Sequence, residues 1–218
     1  MGSIRENVQK ILSEIPQQVS LLAATKSQPL ERVIEAINSG VRIIGENYVK
    51  EAELKFGKSG EKIRSMTELH MIGALQKRNV AKALRIFDVI QGVPSLEVAR
   101  EISRRAKAPV RIFLEVNIAS EPTKSGFKPE EAKKAALEIS KLPNIILEGI
   151  MSMPQANSEQ ELRAYFRNAK LLFESIKKEI PSLKHLSMGM SQDYKIAVEE
   201  GSTMIRVGTA IFGERNKK

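Results

Sequence analysis

The chain of 218 residues contains no cysteine and only two histidines, His70 and His185. The first absence excludes disulfides and thiolate metal sites. The second argues against a structural zinc centre, so no metal site is expected. No apolar run approaches the roughly 20 residues that span a bilayer. The N-terminal stretch "MGSIRENVQKILSEI" is charged and periodic and lacks a signal-peptide core. These absences point to a cytoplasmic protein with no membrane association. No segment rich in Gly, Pro or Ser divides the chain, so residues 1–218 are expected to form a single domain. Acidic residues are the minority, 26 against 35 Lys and Arg, leaving a net charge of +9. The bases are interleaved with acids, as in "KKEIPSLK" and "EEAKKAALEISK". Only "ERNKK" at the end forms a small basic tail. This is the pattern of solvated helix faces rather than of a nucleic-acid surface.

What is present is an alternation of apolar and amphipathic segments from end to end. Ile4, Val8, Ile11, Leu12 and Ile15 recur at helical spacing ahead of the first strand. Strand one is Leu21 to Lys26, and its helix carries Leu30, Val33, Ile34 and Ile37 and stops at Gly40. Strand two is Val41 to Asn47, with a helix from Tyr48 to Lys55. Strand three is "ELHMIGA", followed by a helix near Val80–Phe87. Strand four is "DVIQGVP", after which Ser95 caps a helix. Strand five is "VRIFLEVNI", with a helix opening at Pro129. Strand six is "ILEGIMSMP", and Ser158 with Glu161 reads as a capping box for the long helix behind it. Strand seven is "HLSMGMS", with a short helix ending at Gly201. Strand eight is "TMIRVGTAIFG".

Eight near-continuous apolar strands, each but the last followed by a helix, are the signature of parallel strands covered on both sides. In a chain of this length they predict an α/β fold, a single (β/α)8 TIM barrel. The competing architecture is an open doubly wound sheet. The count of eight and the lack of a glycine-rich dinucleotide turn after strand one favour the barrel.

In such a barrel the functional face lies at the C-terminal strand ends. Those ends carry Lys26, Glu46–Asn47, Gly73, Asn117, Met151–Met153, Ser187–Ser191 and Arg206–Thr209. They offer neither a glycosidase carboxylate pair nor a serine–histidine–acid set. Lys26 shares a strand face with Leu22 and Ala24. In a low-dielectric space it would lose its proton more easily, and the neutral amine condenses with an aldehyde. The alternative is a lysine that escapes to solvent. Arg206 interrupts an apolar strand and needs an acceptor; Gly208 beside it permits close approach of a ligand, and Thr209 adds a hydroxyl and an N–H. Phosphate sites of barrel enzymes often lie after strands seven and eight. Ser191 is expected to open a helix there, with Asp193 turned away. The alternative for Arg206 is a structural ion pair. An aldehyde-reactive lysine and a phosphate cradle on adjacent strands together describe pyridoxal 5'-phosphate. Met151, Met153, Met188 and Met190 are expected to pack the barrel, His70 to be a hydrogen-bonded structural histidine, and Lys77–Arg78 to be surface charge.

The segments "ATKSQP", "GENYVKE", "HMIGALQKRN", "VNIASEPTKSGF", "GIMSMP" and "LSMGMSQDYKIAVEEGSTMIRVGTAIFG" resemble, in order and over nearly the whole chain, the pyridoxal phosphate homeostasis protein (YggS, or proline synthetase co-transcribed) family. The resemblance implies the barrel of the alanine racemase N-terminal domain. It implies the cofactor on Lys26, its phosphate on Ser191, Gly208 and Thr209, Arg206 near the ring nitrogen and Asn47 beside the ring. It also implies buffering or delivery of the cofactor to apo pyridoxal phosphate enzymes, without robust catalysis. A monomer with no catalytic residues is expected. The alternative is a racemase-like enzyme, which would need a second base opposite Lys26. Racemases take that base from a C-terminal domain, and this chain is expected to lack one.

Overall fold

The structure is a computed structural model describing residues 2–57 and 63–214. Helix α1 (Ile4–Glu14) precedes the barrel. The strands are β1 (Ser20–Ala24), β2 (Ile43–Glu46), β3 (Glu68–Met71), β4 (Val89–Val93), β5 (Val110–Glu115), β6 (Ile145–Met151), β7 (His185–Ser187) and β8 (Met204–Val207). All pair in parallel, in sequence order, and β8 closes onto β1. Around them lie α2 (Leu30–Asn38), α3 (Val49–Phe56), α4 (Val80–Ile86), α5 (Leu96–Arg105), α6 (Pro129–Ile139), α7 (Glu159–Lys177), α8 (Tyr194–Glu199) and α9 (Thr209–Phe212). The fold is the predicted (β/α)8 barrel rather than an open sheet. Among the described residues no helix is long and apolar enough to cross a membrane.

Strand alternation divides the apolar residues into two cores. Leu21, Ala23, Ile205 and Val207 face the helices, where most of the buried hydrophobic residues meet. Leu22, Ile72, Val89, Phe113, Met151 and Met204 fill the lumen. Gly45 makes the lumen packing possible, because a Cβ there would lie 2.6 Å from Leu22 Cδ2 and 2.9 Å from Ile72 Cδ1. Each fully buried Leu, Ile, Phe or Met contributes about 1.5–3 kcal/mol from apolar burial.

Local signals set the element ends. Gly40 takes φ +114° behind α2, and Ser95 Oγ accepts from Val98 N at the start of α5. Pro129 opens α6. The capping box at Ser158 is half formed: Ser158 Oγ accepts from Glu161 N, but the Glu161 carboxylate takes Asn157 N instead of the cap's own amide.

The strands stop earlier than the apolar runs suggest. Strand one ends at Ala24, two residues short of Lys26. The run "TMIRVGTAIFG" divides into β8 and α9, because the chain turns at Gly208, whose carbonyl accepts from Ile211 N and Phe212 N. Ile211 and Phe212 are buried, and Asn7 Nδ2 of α1 donates to Ile211 O at 3.0 Å. The last apolar residues therefore bury as a helix beneath α1, so strand eight too is followed by a helix. Residues 215–218, the bulk of the basic tail, lie outside the described residues.

Candidate functional site

Lys26 sits half-buried in the turn that follows β1. Gln28 N donates to Thr25 O at 3.0 Å, and Ser27 adopts φ 62° to complete the turn. The residues flanking Lys26 are fastened to β2 and α3. Thr25 N donates to Gly45 O at 2.8 Å, and Thr25 Oγ1 to Glu46 Oε1 at 2.6 Å. Lys55 Nζ donates to Thr25 O, Glu46 Oε1 and Glu51 Oε1 at 2.8, 2.7 and 3.0 Å. Ser27 N in turn donates to Glu51 Oε1. Glu46 is fully buried. Burial pushes its carboxyl above the usual range, and the Lys55 and Thr25 hydrogen bonds oppose that.

Arg206 points into the lumen from β8 and is 3% exposed. Its Nη1 donates to Ser187 Oγ at 2.6 Å and its Nη2 to Ser152 O at 2.9 Å. Burial lowers the guanidinium to about 10, while the charges of Asp193 and Glu115 act in the opposite direction. Both carboxylates act at a distance, and Arg206 forms no ion pair among the described residues, so the ion-pair alternative is not what holds it. Glu115, at the end of β5, is itself buried. Its Oε1 accepts from Ser125 Oγ at 2.8 Å while its Oε2 has no partner, and burial pushes its carboxyl up.

Ser191 lies in a turn ahead of α8, which begins only at Tyr194; the expectation that Ser191 opens that helix is corrected, because residues 191–193 form a separate turn. Two backbone amides of the turn after β8 converge on this serine: Gly208 N at 3.1 Å and Ala210 N at 3.2 Å donate to Ser191 Oγ. Thr209, between them, is exposed and is the first residue of α9. Thr209 therefore lies beyond the end of β8 at Val207, although the run "TMIRVGTAIFG" was expected to continue as strand through it. The Asp193 carboxylate folds back on its own turn to accept from Met190 N. Asn47 follows β2, and its buried Oδ1 has no partner. A Cβ at Gly208 would lie 3.4 Å from Ala24 O, in ordinary contact, so the glycine leaves a methyl-sized space beside the strand that leads to Lys26.

Lys26, Asn47, Ser191, Arg206, Gly208 and Thr209 thus come from the C-terminal ends of β1, β2, β7 and β8, which are consecutive around the closed sheet. The donor set fits pyridoxal 5'-phosphate: an amine for the aldehyde, converging N–H groups and a hydroxyl for the phosphate, a buried cation and an unpartnered amide oxygen at the ring. Met151, Met153 and Met188 pack as expected, whereas Met190 is 38% exposed at the rim. His70 is hydrogen-bonded through both ring nitrogens. Lys77 and Arg78 are exposed. Lys55, Gln91 and Glu115 escaped sequence reasoning; only the Glu51–Lys55 spacing and the position of Glu46 at a strand end signalled part of this machinery.

Comparison with known proteins shows the family of the chain. The alanine racemase N-terminal domain family matches residues 1–216. The pyridoxal phosphate homeostasis protein of Vibrio alginolyticus is 34% identical over 231 residues, covering 99% of each chain. That of Escherichia coli strain K12 is 34% identical, covering 92% of this chain and 88% of its own. PipY of Synechococcus elongatus, solved without pyridoxal phosphate, superimposes with a TM-score of 0.90 at 32% identity, covering 97% of this chain and all of PipY. A second PipY structure, with pyridoxal phosphate bound, gives 0.86 at 30% identity over the same shares. Alanine racemase of Clostridium difficile shares the fold alone, with a TM-score of 0.77 at 18% identity over 58% of its length. The chain belongs to the alanine racemase N-terminal domain family and, within it, to the pyridoxal phosphate homeostasis proteins.

Proposed function

We propose that this protein binds pyridoxal 5'-phosphate through a Schiff base on Lys26 and serves in its homeostasis by holding the cofactor and delivering it to apo-enzymes. The observation that carries the reading is the convergence of the Gly208 and Ala210 amides on Ser191 Oγ, one strand away from the Lys26 turn. When bound, the cofactor supplies an aldehyde that a primary amine captures reversibly. Ser191, Gly208 and Thr209 would hold the phosphate, Asn47 would lie beside the ring, and Arg206 would face the ring nitrogen. A guanidinium there keeps that nitrogen unprotonated and weakens the ring as an electron sink, which favours a carrier over a catalyst. The half-buried setting of Lys26 admits water and exchanging amines, which a carrier requires.

The test incubates the loaded protein with an apo pyridoxal phosphate enzyme in the presence of a trap for free aldehyde and follows the recovered activity. In parallel, each amino acid is assayed for exchange of its α-proton in heavy water. Recovery without exchange supports delivery. Rapid exchange that depends on Lys26 overturns it in favour of a racemase-like enzyme.

A further inference from the structure

A single hydrogen-bonded line crosses the barrel from Arg206 to the opposite rim. Arg206 Nη1 donates to Ser187 Oγ at 2.6 Å, and Ser187 Oγ meets Gln91 Oε1 at 2.8 Å. Gln91 Nε2 meets His70 Nδ1 at 2.8 Å, and His70 Nε2 meets Glu68 Oε2 at 3.0 Å. Arg111 Nη1 reaches the other Glu68 oxygen at 3.2 Å. Ser187, Gln91, His70 and Arg206 are all buried, at 0, 0, 2 and 3% exposure. The side chains come from β8, β7, β4 and β3, so the line links the pocket end of the lumen to residues at the N-terminal ends of β3 and β5.

Its ends fix its direction. Arginine can only donate, so Ser187 accepts from Arg206 and must turn its own proton to Gln91 Oε1. The Gln91 amide nitrogen then faces His70 with a donor, and its second hydrogen points toward Met204 Sδ at 3.1 Å. His70 Nδ1 is therefore the bare, accepting nitrogen. The ring proton sits on Nε2 and goes to the Glu68 carboxylate. Every member has one orientation, set by a cation at one end and a carboxylate at the other. A buried network that is fully satisfied in this way is rigid.

We propose that Gln91 and His70 are positioning residues for Arg206: they hold Ser187 as an acceptor and so aim the guanidinium at the cofactor ring. Neither touches the cofactor. The cofactor end of this proposal rests on the pyridoxal phosphate reading above; the hydrogen-bond direction does not.

The experiment begins with the unaltered protein, labelled with 15N-histidine and free of cofactor, at pH 7.5. The chain has two histidines, and His70→Gln assigns their signals. His70 is expected as the neutral Nε2–H tautomer. An Nδ1–H tautomer or an imidazolium overturns the proposal whatever the cofactor does. The second arm loads each variant with pyridoxal phosphate. Gln91→Leu and His70→Leu should release it at least tenfold faster than wild type and shift its visible absorption, with folding checked by the apo thermal midpoint. His70→Gln can accept from Gln91 and donate to Glu68, and should remain within about threefold of wild type. Wild-type release and spectrum in a folded Gln91→Leu protein overturn the proposal. If the wild-type protein takes up no cofactor, the function reading fails, and the tautomer still decides the line.

Discussion

Arg206 of β8 lies directly across the sheet from Leu22 of β1. The buried guanidinium is therefore one strand from the segment that runs to Lys26. On its other side the loop after β7 is tied to the turn after β8 through Ser191. Strand adjacency alone thus brings a cation, two converging backbone amides and an amine to one end of the lumen.

Arg206→Ala should weaken retention of the cofactor by about 1.5–3 kcal/mol, the worth of a hydrogen bond from a charged donor to the ring nitrogen. The apo fold should survive, because among the described residues Arg206 forms no ion pair and is held by two hydrogen bonds, to Ser187 Oγ and Ser152 O. Cofactor dissociation and apo and holo thermal midpoints check this. Collapse of the apo midpoint with unchanged affinity would make Arg206 a structural residue.

Two glycines at the same end should respond in opposite ways. A Cβ at Gly208 meets Ala24 O at 3.4 Å, whereas one at Gly73 meets Asn47 O at 2.2 Å. Gly208→Ala should keep the apo thermal midpoint near wild type and lower cofactor affinity tenfold or more. Gly73→Ala should destabilise the apo protein itself. Thermal melts and cofactor titration separate the two.

Lys55→Met should destabilise the apo protein by about 3–5 kcal/mol, since it leaves the buried Glu46 carboxylate unpaired. The added change Glu46→Gln should recover much of that loss, and denaturant titrations measure both. Because Lys55 also holds the carbonyl before Lys26, capture of the aldehyde should be slower in the single variant.

Glu115 predicts a pH effect. Burial raises its carboxyl in the folded protein. Its contribution is then full below the unfolded carboxylate value, near pH 4.5, and is lost as pH rises through the elevated folded value. Glu115→Gln keeps an acceptor for Ser125 and has no charge to bury. Its gain in thermal midpoint over wild type should be larger at pH 8 than at pH 5. An equal or smaller gain at pH 8 contradicts this account of the site.

The eight strands were legible because parallel strands covered on both sides leave continuous apolar runs, and the capped helices between them leave amphipathic ones. The C-terminal ends were not, because burial continues past the sheet: Ile211 and Phe212 are as apolar as β8 yet pack as a helix under α1. In the site, Lys26 and Arg206 stood out as charges in apolar surroundings. Gln91 did not, since a neutral amide within "DVIQGVP" carries no charge signal and its partner His70 is 21 residues away. Lys55 reads as half of an ordinary i,i+4 surface pair with Glu51, although the fold buries it to 9% side-chain exposure. Glu115 was concealed within a run whose end was placed at Ile118.

The central claim is that Lys26 carries the cofactor. Borohydride reduction of the loaded protein, followed by peptide mapping, tests it most directly. The account predicts loss of the visible band on reduction and a single pyridoxyl adduct on Lys26, absent in Lys26→Ala. An adduct confined to another lysine, with Lys26 unmodified, would contradict it.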